Sequence, residues 1–369
     1  MDWLKWSYTQ IVKPTLFQID PEKAHHLTFA GLKWASNREW VQQLMSNQLN
    51  QKNDARLKQT LFGLDFAHPV GLGAGLDKNA VALPMWPALG FSFFEVGTVT
   101  PLAQPGNDLP RLFRLPSDLA LINRMGFNND GAQAMLEKLH AFPRSIVPLA
   151  VNIGKNKVTS NEDALSDYVS CLRTFYKKAD FFVVNISSPN TPNLRELQQS
   201  DELGKLIAGL CAERELLMIE NTGVYRPMLV KLAPDMDFAM LEATVQTLMS
   251  YPIDGIIATN TTITRNGLKH SNQKETGGLS GIPVRQKSTE TIRSIYKITK
   301  GKMPIIGVGG IFDAEDAYQK IKAGASLIEI YTGLVYKGPT IARDIRQGLL
   351  ERLTHDGLKH ISEAIGVEG

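Results

Sequence analysis

The chain has 369 residues, 43% of them hydrophobic and 21% charged, and a formal net charge of +3. This length and composition allow one large core, or one large and one small domain. The charge balance is too weakly basic to indicate a nucleic-acid partner, and the sequence contains no dense lysine and arginine run. No apolar run reaches transmembrane length, and the N-terminus lacks the apolar stretch of a signal peptide.

The cysteines and histidines do not form the pattern of a metal site. Cys171 and Cys211 lie in helix-like stretches, and the seven histidines include no H-x-x-x-H pair and no cluster with cysteine. We therefore expect no bound metal, and we expect both cysteines to be reduced core thiols of a cytosolic protein.

The first predicted unit in chain order is helical. Residues 1–56 carry large apolar side chains, among them Trp6, Trp34 and Trp40, with basic residues between them. This composition is typical of an amphipathic segment that lies in a membrane interface. The alternative is a helical cap that packs on the rest of the protein. Residues 57–66 follow and are predicted to form a hairpin across the floor of the next unit.

From Val70 onward, short apolar runs alternate with helix-like stretches. The predicted strands are residues 70–72, 93–96, 149–151, 181–184, 228–230, 255–258, 304–308 and 327–330. The predicted helices are residues 163–178, 201–215, 237–249, 285–299 and 313–323. Alternating strands and helices indicate parallel βαβ units, and eight of them predict an α/β fold that closes as a (β/α)8 TIM barrel over residues 57–350. A doubly wound open sheet is the alternative, but no G-x-G-x-x-G opens the first helix.

Two segments lie outside this alternation. Residues 102–122 contain two strand-like pieces, at 111–115 and 120–122, and predict a hairpin inserted after the second barrel strand. The tail, residues 351–369, predicts a short polar helix of unknown role.

Polar residues follow each predicted barrel strand. Residues 185–191 (NISSPNT) come directly after the fourth strand and supply carboxamides and hydroxyls around a proline. Taken alone, they are equally typical of a turn. Similar groups follow other strands, at 73–78 (GAGLDK), 152–155 (NIGK) and 259–261 (TNT). Because (β/α)8 enzymes build their active sites at the C-terminal ends of the strands, we predict a functional rim there.

The last strand ends predict an anion site. Residues 307–310 (GVGG) and 331–333 (YTG) follow strands seven and eight, where barrels commonly bind phosphate through backbone N–H groups. Residues 276–281 (TGGLSG) predict a flexible loop, with a second backbone contact to the phosphate as the alternative. Lys231 lies in an apolar strand, where a charge without a partner is costly, so we expect it to face an anionic ligand.

These groups together predict the ligands. A phosphate site, a polar planar group and a buried cation fit flavin mononucleotide (FMN), whose anionic reduced ring the lysine would stabilise. The many asparagines predict a second ligand rich in amide and carboxylate groups, such as a pyrimidine.

The motifs as a set closely resemble those of the dihydroorotate dehydrogenases, which are flavoproteins of pyrimidine synthesis. The matching stretches are residues 74–78 (AGLDK), 97–101 (GTVTP), 104–108 (QPGND), 110–114 (PRLFR), 123–129 (NRMGFNN), 152–156 (NIGKN), 185–191, 258–262 (ATNTT), 276–281 and 307–310. They run through almost the whole chain in one order, which makes the resemblance highly specific. It implies that dihydroorotate is oxidised to orotate with one FMN per chain as the hydride acceptor.

The resemblance also implies which branch of the family is present. A soluble branch uses a cysteine as the base, whereas a membrane-associated branch reduces quinone and uses a serine, and Ser188 stands at this position. Ubiquinone or another membrane quinone is therefore the implied electron acceptor. We expect a monomer in peripheral contact with lipid on the cytoplasmic side of a bacterial inner membrane, since no transit peptide precedes the helices.

Individual roles follow from the resemblance. Ser188 resembles the base that takes the proton from C5 of dihydroorotate while hydride leaves C6, with Thr191 and Phe127 in the proton-relay environment. The implied substrate contacts are Lys78, Asn123, Arg124, Met125, Gly126, Phe127, Asn185, Asn190, Asn260 and Thr261. The implied FMN contacts are Ala74, Gly75, Leu76, Asp77, Lys78, Thr98, Asn152, Asn185, Lys231, Thr259, Gly281, Gly310, Tyr331 and Thr332. The implied quinone tunnel comprises His25, Arg114 and Tyr331. Thr332 stands where the family pattern has serine and keeps the hydroxyl.

Two other functions stay open. A different flavin barrel would use NAD or fumarate as the oxidant, which a screen of electron acceptors separates from quinone. A non-enzymatic barrel would bind a phosphorylated ligand or a lipid surface, and it would tolerate Ser188→Ala without functional loss.

Overall fold

The computed structural model describes residues 2–50, 53–142 and 145–369. Its strands are β1 (Gln59–Leu61), β2 (Leu64–Phe66), β3 (Val70–Leu72), β4 (Phe94–Val99), β5 (Leu112–Leu115), β6 (Ala120–Asn123), β7 (Leu149–Ile153), β8 (Phe181–Asn185), β9 (Met228–Leu232), β10 (Gly255–Ala258), β11 (Gly278–Gly281), β12 (Ile305–Val308) and β13 (Leu327–Ile330). Its α-helices are α1 (Trp3–Ser7), α2 (Lys13–Phe17), α3 (Pro21–Ser36), α4 (Glu39–Leu49), α5 (Met85–Ala88), α6 (Ala132–Ala141), α7 (Ala164–Phe175), α8 (Ser200–Glu220), α9 (Phe238–Met249), α10 (Arg285–Thr299), α11 (Ala314–Lys322), α12 (Thr332–Lys337) and α13 (Ile341–His355).

Eight parallel strands form a closed barrel. Its strands are β3, β4, β7, β8, β9, β10, β12 and β13, and β13 pairs with β3 to complete the circle. All eight strands predicted from the apolar runs are confirmed, and the open-sheet alternative is wrong. The five predicted helices are present as α7 to α11, four of them with shifted ends.

Two layers with different chemistry fill the lower part of the barrel. The floor is an apolar cluster of Phe66, Phe93, Ala150, Phe181, Val183, Leu229, Ile257, Ile306 and Leu327. Side chains of a strand alternate between its two faces, so a residue two positions after a floor residue also points inward. At six of these next positions the residue is buried and polar, and we call the six the polar layer: Glu95, Asn152, Asn185, Lys231, Thr259 and Glu329. The polar layer therefore lies between the floor and the C-terminal mouth.

The hairpin of β1 and β2 closes the bottom of the barrel, as predicted. The two strands pair antiparallel. The ring of Phe66 lies 5.3 Å from that of Phe93, and the ring of Phe62 lies 5.7 Å from that of Phe181. The hairpin thus shields the floor from solvent.

A second sheet rises beside the mouth. The predicted hairpin of β5 and β6 is confirmed, and β11 pairs antiparallel with the other edge of β6. The flexible loop predicted at residues 276–281 is therefore wrong. Its GLSG sequence lacks the usual strand formers, but a Cβ at Gly278 would overlap the Thr261 side chain, so close packing explains the glycine.

The N-terminal residues are helical, as predicted, and pack on the barrel near its mouth. A π-helical turn, Tyr8–Val12, joins α1 to α2. The Tyr8 hydroxyl donates to the carbonyl of Val335 at 2.7 Å, and Arg111 forms a 2.8 Å ion pair with Glu22 of α3. None of the helices in the described part of the chain combines the length and hydropathy needed to span a bilayer.

The C-terminal residues pack on the barrel as well. Helix α13 runs across residue 350, and a 3-10 turn, Ile361–Ala364, follows it with both of its end residues buried. The Glu368 carboxylate pairs with Lys322 at 2.5 Å. The segment after residue 350 is thus continuous with the packing of the outer helices.

Candidate active site

A cavity of about 1070 Å³, counted with its open mouth, lies at the C-terminal end of the barrel. Most of the residues predicted for ligand contact line it. They are Ala74, Gly75, Lys78, Thr98, Asn123, Met125, Gly126, Phe127, Asn185, Ser188, Asn190, Lys231, Thr259, Asn260, Thr261, Gly281, Gly310, Tyr331 and Thr332. Segments scattered between residues 74 and 332 of the sequence therefore meet around one space.

Other predicted residues do not line this cavity. They are His25, Leu76, Asp77, Arg114, Arg124, Asn152 and Thr191. Asp77 serves the fold: its carboxylate accepts backbone N–H groups of Val81 and Ala82 and the indole N–H of Trp86. It is an anchor for its loop rather than a wall of the cavity.

Arg124 points away from the cavity. Its guanidinium forms a 2.6 Å ion pair with Glu275 and lies 4.5 Å from the centre of the Phe113 ring. The neighbouring Asn123, Met125 and Gly126 do line the cavity. Since Arg124 lies between lining residues in the sequence, only the orientation of its side chain towards Glu275 separates it from them.

An ion cluster occupies the polar layer. The Lys231 ammonium lies 2.8 Å from Glu95 Oε2 and 3.5 Å from Glu329 Oε2. Burial disfavours the ammonium form, but the attraction of the two carboxyl groups outweighs it and raises the pKa of Lys231. That Lys231 faces an anionic ligand stays a prediction: its side chain lines the cavity, and its immediate partners are the two protein carboxyl groups.

Sequence reasoning did not single out Glu95 and Glu329. The available signal was an acidic residue within an apolar strand, in FFEV and LIEI. Of the other lining residues, Gly73, Ser280, Val308, Gly309 and Gly333 belong to stretches predicted for the rim, whereas Val284 and Ile311 lie outside them.

A chain of hydrogen-bonded carboxamides and hydroxyls crosses the base of the cavity, at the level of the polar layer. The Thr98 hydroxyl donates to Asn152 Oδ1 at 2.5 Å, and Asn185 Nδ2 donates to Thr98 Oγ1 at 2.8 Å. Asn260 Nδ2 in turn donates to Ser187 Oγ at 3.0 Å. These contacts orient the side chains before any ligand arrives, and they give Asn152 a supporting position beneath the cavity.

Ser188 lies at the cavity wall and is 6% exposed. The backbone N–H of Asn190 donates to Ser188 Oγ at 3.2 Å, and Asn190 Nδ2 donates to Asn123 Oδ1 at 3.1 Å. The hydroxyl of Thr191 is buried and has no hydrogen-bond partner within the described residues. Ser188 is therefore a nearly buried residue that lines the cavity, beside a buried hydroxyl at Thr191 with no described partner.

Lys78 is a second cation in the cavity. Its ammonium donates to Asn128 Oδ1 at 2.5 Å. Burial, with repulsion from Arg111, lowers the pKa of Lys78 to about 7. An anion bound beside it would favour the charged form.

Glycines shape the far end of the cavity. At Gly310, where φ is +72°, a Cβ would come within 2.6 Å of Arg285 Cα, and a Cβ at Gly333 would overlap the carbonyl of Ile311. The Thr332 hydroxyl donates to Ser280 Oγ at 2.8 Å, so the residue at the family's serine position still presents a hydroxyl here.

The three residues predicted for the quinone tunnel lie where the N-terminal helices meet the mouth. Tyr331 packs in one apolar cluster with Phe17 of α2. Arg114 donates to the carbonyl of Ile19 at 2.7 Å, and its guanidinium lies over the Phe17 ring. Burial, followed by the charge of Lys78, lowers the pKa of His25 to about 3.

No group of three or more histidine, cysteine, aspartate or glutamate side chains suited to a metal is found in the part of the chain that the structure describes.

Comparison with known proteins identifies close relatives. Residues 56–353 match the family model described as dihydroorotate dehydrogenase. The chain is 50% identical to the dihydroorotate dehydrogenase (quinone) of Deinococcus deserti over 98% of its own length and 99% of the relative's. It is also 50% identical to that of Gloeobacter violaceus, with 97% and 98% covered.

Solved structures agree with these matches. The crystal structure of ligand-free DHODH from Eimeria tenella superposes with a TM-score of 0.86 at 38% identity, covering 95% of this chain and 99% of that one. The complex of the Eimeria tenella protein with ferulenol gives a TM-score of 0.85, with 95% and 96% covered.

Proposed function

The chain belongs to the dihydroorotate dehydrogenase family, and we propose that it oxidises dihydroorotate to orotate with FMN as hydride acceptor and a membrane quinone as final electron acceptor. The observation that carries the proposal is the cavity itself. There Ser188, two lysines and four asparagines meet at the C-terminal end of the barrel, beside the N-terminal helices. The family is one of oxidoreductases in pyrimidine biosynthesis.

The residues present fit FMN. Lys231 offers a buried positive charge, and Thr259 Oγ1 and Glu329 Oε1 are buried without a hydrogen-bond partner among the described atoms. Gly281 and Gly310 line the cavity with positive φ values, and a Cβ at either would overlap neighbouring protein atoms, so both backbones keep their place in the wall only as glycine. Ala74, Thr98 and Lys231 would hold the ring, and Gly281, Gly310 and Thr332 the phosphate end. FMN bound here would supply the two-electron acceptor of the reaction.

The substrate contacts are supplied by side chains of complementary chemistry. Dihydroorotate carries amide groups and a carboxylate. Asn123, Asn190 and Asn260 offer both carboxamide donors and acceptors, and Lys78 offers a cation for the carboxylate. Asn190 bonds to Asn123, and Asn260 and Lys78 bond to other protein groups. These bonds orient the side chains in advance, which reduces the entropy lost on binding.

Ser188 is proposed as the base. Oxidation removes a proton from C5 and a hydride from C6, and the C5–C6 bond becomes a double bond. Ser188 Oγ takes the proton. A serine hydroxyl is weakly basic, so the proton must move on, and the unpartnered Thr191 hydroxyl three residues away is the proposed next site. Phe127, which lines the cavity, helps to exclude bulk water.

The N-terminal helices are proposed to carry quinone from the membrane. They expose large apolar side chains, including Trp6, Trp34 and Trp40 at 48%, 50% and 62%. A cap that only packed on the barrel would leave fewer such residues in solvent. Peripheral binding at the cytoplasmic face of the membrane would place these residues in the lipid interface, with His25, Arg114 and Tyr331 between lipid and flavin.

Anaerobic titration of the purified protein tests the proposal. Dihydroorotate should bleach the yellow flavin, and a ubiquinone analogue should restore the colour. NAD and fumarate, each added in place of the quinone analogue, serve as control acceptors and should leave the flavin reduced. A colourless protein, or a flavin that dihydroorotate does not bleach, would contradict the proposed function.

A further inference from the structure

Glu329 is a buried carboxyl group at the wall of the flavin cavity. It lies in β13, is 1% exposed, and lines the cavity. Its Oε2 lies 3.5 Å from Lys231 Nζ, whereas its Oε1 has no hydrogen-bond partner among the described residues. An ionised carboxylate rarely leaves one oxygen so poorly solvated, because the charge is costly to bury.

Glu95 shows what a satisfied carboxylate looks like in the same layer. Its Oε2 accepts from Lys231 at 2.8 Å and from the Ala74 N–H at 2.9 Å, and its Oε1 accepts from Asn152 Nδ2 at 2.6 Å. The single positive charge of Lys231 is thus matched by Glu95. A second carboxylate would leave one net negative charge in the barrel interior.

Among the residues that the structure describes, no second cation lies beside Glu329 to balance that charge. The strands beside it, β3 and β12, contain only valine, leucine, isoleucine and glycine. Across the barrel, the ionisable groups that face it are Glu95 and Lys231. A Cβ at Gly73 would come within 3.2 Å of Glu329 Oε2, so backbone packs against this oxygen, and Lys231 is the cation beside it.

We propose that Glu329 is a neutral carboxylic acid in the resting protein and acts as a positioning residue. Its free oxygen faces the bound flavin, and its proton keeps the net charge of the polar layer at zero. The second half of the inference rests on the proposed flavin function. With Lys231 charged and Glu95 ionised, a neutral Glu329 brings the sum of these three groups to zero. A ligand that gains negative charge in the cavity, as a flavin does on reduction, would be disfavoured by a second carboxylate. Burial and repulsion from Glu95 both raise the pKa of Glu329 well above its usual range.

The protonation state has a spectroscopic test. The infrared spectrum of the full-length protein near neutral pH should contain a protonated-carboxyl band that Glu329→Gln removes. An identical spectrum in the two proteins would overturn the proposal. The spectrum of Glu329→Gln must be subtracted from that of the wild type, because burial also raises the pKa of the Asp77 carboxyl.

Stability as a function of pH gives an independent reading. A carboxyl whose pKa is raised by folding stabilises the fold at low pH, and this stabilisation is lost as pH rises from the unfolded value towards the folded one. Above about pH 4.3, the folding equilibrium constant of the wild type should therefore decrease relative to that of Glu329→Gln. The decrease should reach up to about tenfold per pH unit.

A paired carboxylate provides the matched control. Asp235 accepts from Arg195 and Lys287, and its pKa is lowered despite partial burial because of these bonds and those from Thr262 and Ile263. Asp235→Asn should lower the melting temperature at pH 7, whereas Glu329→Gln should not. A comparable loss in Glu329→Gln would mean that Glu329 is ionised.

Flavin retention tests the positioning role. Glu329→Gln keeps a neutral polar group and should retain FMN through purification, whereas Glu329→Ala should lose a measurable fraction. At pH values where Glu329 loses its proton, the flavin potential of the wild type should fall more steeply with pH than that of Glu329→Gln. Equal retention and parallel potentials would overturn this role. If the wild type holds no FMN, the proposed function fails, while the infrared and stability results still decide the protonation state.

Discussion

The barrel interior and the N-terminal helices meet at one mouth but are built in different ways. In the interior, polar groups are buried and paired: Lys231 is 5% exposed and lies 2.8 Å from Glu95. In α3 and α4, aromatic residues face solvent, with Trp34 and Trp40 at 50% and 62% exposure. A small polar substrate requires prearranged hydrogen bonds, whereas a lipid-soluble acceptor requires an apolar surface that remains accessible.

The two regions also differ in the contacts that hold them in place. Parallel ladders hold every barrel strand on both sides. The helices are joined to the barrel by separate contacts, such as Arg111 with Glu22 and Tyr8 with Val335. We therefore expect changes in the interior to alter the reduction of flavin by dihydroorotate, and changes in the helices to alter quinone reduction.

Ser188→Ala should give the largest effect. Loss of the base should slow flavin reduction by dihydroorotate by about 10²- to 10⁴-fold near neutral pH, while the protein stays yellow. Anaerobic stopped-flow absorbance measures this step directly. Reoxidation by a quinone analogue should be unchanged in the dithionite-reduced variant, and slow reoxidation would break the proposed separation of the two regions.

The charge of Lys78 should make orotate binding depend on pH. With a pKa of about 7, the ammonium is charged below pH 7 and neutral above it, so affinity for the anion should fall as pH rises through 7. The dissociation constant should increase by up to about tenfold per pH unit in that range. Flavin absorbance titrations at several pH values measure it, with Lys78→Gln as the pH-independent control.

Glu22→Gln should weaken the attachment of the helices. It removes the charge that pairs with the mostly buried Arg111, at an expected cost of about 1.5–3 kcal/mol in unfolding free energy. Denaturant unfolding measures this cost, and limited proteolysis should show earlier cleavage within residues 2–50. Lys5→Ala, which removes a more exposed pair with Asp344, should cost at most about 1 kcal/mol. Equal losses would argue against a specific role for the Glu22 contact.

The double variant Trp34→Gln and Trp40→Gln should give the smallest effect. The two rings lie 6.3 Å apart on an exposed face. Losing about 1.4 kcal/mol of interfacial burial would reduce vesicle binding about tenfold. Sedimentation with anionic vesicles measures binding, and flavin reduction in solution should stay unchanged. Unaltered vesicle binding would support the alternative of a packed helical cap.

Local patterns were sufficient for the barrel elements. Each barrel strand is a short apolar run, and the helix-like stretch at residues 285–299 predicts α10 at its observed bounds. The same approach missed β11, since glycine and serine carry no strand preference. Residues 278–281 become a strand only because the edge of β6 offers unpaired hydrogen bonds.

The sequence alone determined the alternation of strands and helices, the polar residues at the strand ends and the amphipathic character of the first helices. These depend on neighbours a few positions apart. Tertiary structure decided which of those residues face one another. It turned Arg124 towards Glu275, placed Asp77 under its own loop, and brought Glu95 and Glu329 to Lys231 from strands far apart in the chain. Burial and charge balance depend on distances between strands, and these are set only when the barrel closes.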